Sequence, residues 1–148
     1  MAILEAITGT RVYLDTNVFI YAVEGYAEFE TELNELFEAF DAGNFQAITS
    51  ELTLAEVLVK PLIDNNAKVR SAYENAIQSS PVLEVVPINR TILRESARLR
   101  STINIRLPDA IHAATAILNG CETFITNDKR LEALSSIDVV VLSNLLSP

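Results

Sequence analysis

A chain of 148 residues with 49% hydrophobic composition carries enough apolar matter for one packed core and too much for a disordered segment. One cysteine, Cys121, excludes an internal disulfide, and one Cys with one His leaves a structural zinc short of ligands. The net charge of −9 argues against non-specific nucleic-acid binding.

Met1-Ala2-Ile3-Leu4-Glu5-Ala6-Ile7 has no basic leader before its apolar residues, so it does not read as a signal peptide. No later run approaches the roughly 20 apolar residues of a membrane helix. The expectation is a cytoplasmic protein of one domain, residues 1–148. Arg11 to Asp15 reads as a short buried strand, and Thr16 to Glu24 as a helix with Val18, Phe19 and Ala22 on its apolar face. Phe29, Leu33, Leu36, Phe37 and Phe40 recur at helical spacing opposite Glu28, Glu32, Glu35 and Glu38, and Gly43 follows as a stop. Phe and Leu side chains left exposed on this acidic helix would favour a homodimer.

Phe45 to Thr49 is a second strand candidate. Thr53 to Lys60 begins a third helix, whose continuation Pro61 limits. Asn66 to Ser79 is a more polar helix, ended by Pro81, and Val82 to Ile88 is a β-rich run. Arg90 to Ile103 is helical again, with Ile92, Leu93, Ala97 and Leu99 among its apolar positions. Leu107 to Leu118 carries Ala110, Ala113, Ala114 and Ala116, the mark of a close-packed interior helix, and ends at Asn119-Gly120. Thr123 to Thr126 and Asp138 to Leu142 are the last strands, with a short helix from Lys129 to Leu134 between them. Strands alternating with helices predict an α/β fold: a three-layer α/β/α sandwich on a parallel sheet of about four or five strands.

Such a fold gathers the carboxyl ends of its strands and the first turns of the following helices at one edge, where sites form. Four acids fall there: Asp15 after the first strand, Glu56 and Asp109 near helix starts, Asp128 after the Phe124-Ile125-Thr126 strand. Each has a structural reading. Asp15-Thr16-Asn17 suits a helix N-cap, and Asp128 could be another. Thr53-Leu54-Ala55-Glu56 matches a capping box, and Asp109 follows Pro108 in a first turn, where it complements the helix dipole. The functional reading rests on all four recurring at matching ends of successive units. Carboxylates brought together repel, so a cluster persists only with protons or a cation, and hard oxygen ligands suit Mg²⁺ or Mn²⁺.

The set Val12-Tyr13-Leu14-Asp15-Thr16-Asn17-Val18, Thr53-Leu54-Ala55-Glu56-Val57, Leu107-Pro108-Asp109-Ala110-Ile111-His112-Ala113-Ala114-Thr115-Ala116 and Phe124-Ile125-Thr126-Asn127-Asp128 resembles the PIN domain family of metal-dependent nucleases. The resemblance covers nearly the whole chain, and at this size the chain is most similar to the VapC-type toxins, the ribonuclease halves of toxin–antitoxin pairs. It implies that Asp15, Glu56, Asp109 and Asp128 are the catalytic and metal-holding acids, with Thr126 as the hydroxyl near the last of them. It implies further a Mg²⁺ (or Mn²⁺) cofactor, an RNA substrate and a cognate antitoxin protein. Asn17 beside Asp15, and Arg106 beside the Leu107-Pro108-Asp109 turn, are candidates to assist the substrate.

The charge is uneven: residues 1–60 hold 11 acidic and 2 basic side chains, whereas residues 61–148 hold 9 of each. Arg90, Arg94 and Arg98, four residues apart, share a helix face. That row reads slightly better as a solvated face, paired with acids of the Glu28 to Asp41 segment, than as a phosphate track. His112 reads as a packed or partner-bonded residue, and Cys121 as a small buried hydrophobe. Two other functions compete. One is a non-catalytic PIN-like module that binds RNA or protein, which would have no need of four clustered acids. The other is an aspartyl-phosphate phosphoryl-transfer domain, for which Asn17 breaks the Asp-x-Asp pattern.

Overall fold

Val12, Tyr13 and Leu14 are wholly buried and form, with Arg11, the first strand, β1 (Arg11–Leu14). The computed structural model describes residues 2–146, so that Met1 of the N-terminal segment, Ser147 and Pro148 lie outside the described residues. A short helix, α1 (Ile3–Ala6), precedes β1, and α2 (Thr16–Glu24) and α3 (Glu30–Asp41) follow it. Next come β2 (Gln46–Ser50), α4 (Glu51–Ile63), α5 (Ala67–Ala76), β3 (Leu83–Val86), α6 (Arg90–Thr102) and α7 (Leu107–Leu118). The chain then runs through β4 (Thr123–Thr126), a 3-10 segment at Lys129–Ala133, and β5 (Asp138–Val141).

The five strands form one parallel sheet in the order β3-β2-β1-β4-β5. Tyr13 stands level with Ile48 on one side and Phe124 on the other. Between β1 and β4 the direction of strand progression reverses, which opens a crevice at the carboxyl ends of those two strands. Alternation along each strand splits the core into two layers. Val12, Leu14 and Ile125 pack with Phe19, Leu36, Phe40 and Tyr73. Tyr13, Ile48 and Phe124 pack with Ile92, Leu99, Ala110, Ala113 and Ala114. This is the expected three-layer sandwich. None of its helices is long and apolar enough to cross a membrane, among the described residues.

Several element details differ from the sequence expectation. Helix α4 begins at Glu51, because Ser50 caps it by accepting a hydrogen bond from the Leu52 amide at 3.0 Å. Thr53 therefore lies inside the first turn, fully buried, and the capping box it would form with Glu56 does not exist. Pro61 sits near the end of α4, and the helix continues through it to Ile63. Pro61 has no N–H to give the Val57 carbonyl, and its ring crowds that carbonyl, so the helix carries this cost in its last turn.

Phe29, Leu33, Leu36 and Phe40 are buried against the sheet side of α3, and Phe37 is partly buried, so the exposed surface invoked for a homodimer is absent from that helix. On α6 the buried stripe is Ile92, Ser96 and Leu99, whereas Leu93 and Ala97 face solvent. Ser96 fits because α7 offers only small side chains there. Its hydroxyl donates to the Ile92 carbonyl at 2.7 Å, which satisfies it without water.

Candidate active site

The crevice between β1 and β4 is built around Asp15. It is the residue after β1 and the N-cap of α2, and it is 6% exposed. Its Oδ1 accepts the Thr16 amide at 2.8 Å, and its Oδ2 accepts the Thr126 hydroxyl at 2.7 Å. Burial penalises its charge and pushes its pKa up. His112, Thr126 and the Thr16 amide pull the other way, and the nearby Asp109 adds to the rise. The cap and the site are thus the same carboxylate. A helix N-terminus holds it in place.

Glu56 lies in the second turn of α4 and faces the same crevice. Its Oε1 receives two donors, the Thr16 hydroxyl at 2.7 Å and His112 Nε2 at 2.6 Å. Its Oε2 carries no hydrogen bond among the described residues. Burial opposes its charge, but the bond to His112 and the charge of that ring outweigh it, so the pKa falls below the ordinary value. Further in, the Thr53 hydroxyl donates to that of Thr49 at 2.8 Å, and Thr49 donates to the Leu14 carbonyl at 2.8 Å.

His112 is the residue that the sequence reading left outside the site. It is 1% exposed and stands among the acids. Its Nδ1 meets the buried Tyr13 hydroxyl at 2.6 Å, and its Nε2 lies 3.7 Å from Asp15 Oδ1 as well as on Glu56. With Tyr13 donating to Nδ1, the neutral ring must carry its hydrogen on Nε2, which then donates to Glu56. Burial disfavours a charged imidazole here, but Glu56, Asp15 and Asp109 outweigh it and hold the pKa above its usual value. The signal in the sequence was a polar residue within the small, fully buried face of α7, three positions after Asp109.

Asp109 sits in the first turn of α7, 8% exposed, and Asp128 caps the 3-10 segment after β4. Arg106 joins them: its Nε bonds Asp109 Oδ2 at 3.1 Å, and its Nη2 stands 4.0 Å from Asp128 Oδ2. Arg130 holds Asp128 with two guanidinium nitrogens, at 3.0 and 2.7 Å. Those bonds hold the Asp128 pKa below the usual carboxylate range. All four predicted acids therefore share one edge of the sheet, linked through His112 on one side and Arg106 on the other. Asn17 and Thr126 face the protein. Asn17 donates to the Thr126 hydroxyl at 3.3 Å and accepts the Asn127 amide at 3.2 Å, and Thr126 accepts the Asp128 amide at 3.1 Å. They fix the loop that carries Asp128. Arg90 and Arg94 are exposed, and Arg98 pairs with Glu95 on its own helix rather than with the acids of α3.

A profile of the PIN domain matches residues 12–137. The chain belongs to the PIN domain family. Its fold is that of the VapC-type toxins. VapBC2 from Rickettsia felis, solved with promoter DNA, superposes with a TM-score of 0.72 at 18% identity, over 89% of this PIN domain chain and 98% of that one. A toxin–antitoxin complex from Klebsiella pneumoniae gives 0.66 at 26% identity, over 88% and 97%. VapC20 of Mycobacterium tuberculosis, a sarcin–ricin loop cleaving toxin, gives 0.67 at 12% identity, over 86% and 98%. No curated protein sequence matches.

The donors of this PIN domain are carboxylate oxygens, which suit a hard divalent cation, and those of Asp15 and Asp109 are nearly buried. Among the described residues no three acidic, His or Cys side chains are disposed as ready ligands of one ion. His112, Arg106 and Arg130 hold the acids instead. Arg106 is 62% exposed, so its guanidinium is open to solvent while Nε stays on Asp109.

Proposed function

We propose that this PIN domain hydrolyses RNA phosphodiester bonds in the cytoplasm with a divalent cation, Mg²⁺ or Mn²⁺, held by Asp15, Glu56, Asp109 and Asp128. The observation that carries the reading is the meeting of the buried Asp15 and Asp109 with Glu56 and Asp128 at one crevice, tied together by His112 and Arg106. A bound divalent ion would lower the pKa of an attacking water and stabilise the departing oxygen. The chain supplies the rest. Thr16 and Thr126 fix both oxygens of Asp15, so that it cannot rotate away from the crevice. Thr16 and His112 both donate to one oxygen of Glu56, and the other has no hydrogen bond among the described residues. Arg106, held through Nε by Asp109 and 4.0 Å from Asp128, keeps guanidinium N–H donors over for a phosphate oxygen at the crevice. Likeness in fold to VapC20, a sarcin–ricin loop cleaving toxin, supports RNA as substrate.

Purified chain is expected to cleave single-stranded or looped RNA in Mg²⁺ or Mn²⁺, to leave 5′-phosphate ends, and to stop when chelator is added. Cleavage that persists in chelator, or cyclic phosphate ends, would refute the metal mechanism. A second reading has one observation in its favour: every one of the four acids already has a protein partner, as in a module that binds without catalysis. Tight RNA binding with no cleavage in either metal would select that reading.

The likeness to toxin–antitoxin complexes also supports a cognate antitoxin. A partner Arg or Lys can take the cation's place beside Asp15 or Asp109. Glu28 and, along α3, Glu30, Glu35, Glu38 and Asp41 are exposed, and none appears in an ion pair among the described residues. That face would steer a basic antitoxin segment. Expression of the chain alone should arrest growth, and co-expression with the reading frame upstream should restore it. The complex should weaken as salt rises. Normal growth and no co-purifying partner would remove the toxin role.

A further inference from the structure

Beside the acid cluster lies a cavity of about 230 Å³ lined by Arg100, Asn104, Ile105, Arg106, Asp109 and Arg130. In a chain of net charge −9 it concentrates three of the 11 basic side chains. All three guanidinium groups are tethered in the same way, through Nε. Arg100 Nε donates to the Ile105 carbonyl at 3.1 Å, Arg106 Nε to Asp109 at 3.1 Å, and Arg130 Nε to Asp128 at 3.0 Å. A guanidinium has five N–H donors in a fixed fork. Anchoring Nε limits the rotation of each guanidinium and leaves Nη donors over, both on Arg100 and Nη1 on Arg130, whose Nη2 is taken by Asp128. This removes much of the entropy cost of ordering long side chains at a ligand. Arg100 touches no acid, and both of its Nη groups carry no hydrogen bond among the described residues. Asp109 and Asp128 cancel two of the three positive charges, and one phosphodiester monoanion would balance the third.

We propose that this cavity is a phosphate subsite, which holds a backbone phosphate of the RNA adjoining the one cleaved. The proposal rests on the ribonuclease reading and deepens it, since Asp109 forms the wall between the cavity and the acid crevice. It also assigns different roles to the arginines of the 90–106 stretch. Arg100 and Arg106 bind, together with Arg130, whereas Arg90 and Arg94 lie on the open surface of α6 and do not line this cavity.

The test is the fluorescence anisotropy of a labelled single-stranded RNA, titrated with the whole chain in chelator across a range of salt. Arg100→Gln and Arg130→Gln should each weaken binding by about fivefold or more and lower the slope of log affinity against log salt by about 0.7. Arg90→Gln and Arg94→Gln remove the same bulk charge and should change neither quantity. Equal losses at all four positions, no loss at Arg100, or no RNA binding by the unaltered chain would each overturn the subsite. Arg100→Gln is the decisive variant because it strips no acid of its partner, and thermal melting checks its fold. Inorganic phosphate at matched ionic strength should displace the RNA poorly, whereas displacement at micromolar phosphate would assign the cavity to a free anion. RNA binding that depends on Arg100 without cleavage in Mg²⁺ would remove the ribonuclease reading and leave the subsite. Cleavage with an unchanged KM in Arg100→Gln would do the reverse.

Discussion

Asp15→Asn and, separately, Asp109→Asn are expected to lower Mg²⁺-dependent RNA cleavage by about a thousandfold, roughly 4 kcal/mol of transition-state stabilisation. Both acids are nearly buried, at 6% and 8% exposure, so water cannot replace a lost ligand at either position. The amide has the shape of the acid but neither its charge nor its affinity for a hard cation. The fold should survive. In Asp15→Asn the new amide would keep one of the two hydrogen bonds made by the Asp15 carboxylate, at a cost of about 1 kcal/mol for the other. Against that, the substitution removes a charge that burial already disfavours. Melting temperatures in chelator close to that of the unaltered chain, together with the loss of cleavage, would place these residues in the chemistry. Activity within tenfold of the original would dismiss them.

His112→Leu should be the most destabilising single change in the site, costing about 3 kcal/mol in metal-free buffer. It strips Glu56 of its buried donor on α7, takes the imidazole away from its place 3.7 Å from Asp15, and leaves the Tyr13 hydroxyl without its partner. The cost falls at the lower end of the range for broken buried pairs because the Glu56 side chain is 33% exposed and can turn toward water. Adding Glu56→Gln to His112→Leu should recover part of the loss, since it neutralises one of the two stranded carboxylates.

A pH dependence accompanies this change. Glu56, Asp15 and Asp109 outweigh burial and raise the His112 pKa, so the folded state binds this proton more tightly than the unfolded chain. That contribution is fully present below the unfolded value of about 6.5 and is lost as pH rises through the folded value. Glu56 shifts the opposite way, and its contribution is lost only in the acid range. Denaturant midpoints of the metal-free chain should therefore be higher at about pH 6 than at about pH 8.5, and His112→Leu should flatten the difference. A higher midpoint at the alkaline pH would sink the assignment.

Element order and the edge holding the acids were legible because both follow from local patterns. Val12-Tyr13-Leu14 and Thr123 to Thr126 read as buried strands, and the alanines from Ala110 to Ala116 read as an interior helix, because periodicity and side-chain volume are properties of one element. Alternation of strand and helix then put Asp15, Glu56, Asp109 and Asp128 at one edge, since a parallel sheet with short connections leaves few other arrangements. The capping box at Thr53 failed because Ser50, one residue before the helix, offered the better cap. Leu93 and Ala97 face solvent because a heptad-like pattern does not state which stripe the neighbouring helix will cover.

The sequence by itself therefore determined the family, the layer architecture and the acids. Only the tertiary structure decided what holds those acids and what they face. His112 meets Glu56 across 56 positions of sequence and Tyr13 across 99, while Thr126 reaches Asp15 across 111. No local pattern encodes which side chains a sheet brings together over such separations, and hydrogen-bond partners are settled by a few tenths of an ångström in the packed interior. The cavity between Arg100, Arg106 and Arg130 is of the same kind. Its three arginines are scattered over a helix end, a loop and a 3-10 turn, and they become one cationic surface only when α6 and α7 pack against the end of β4.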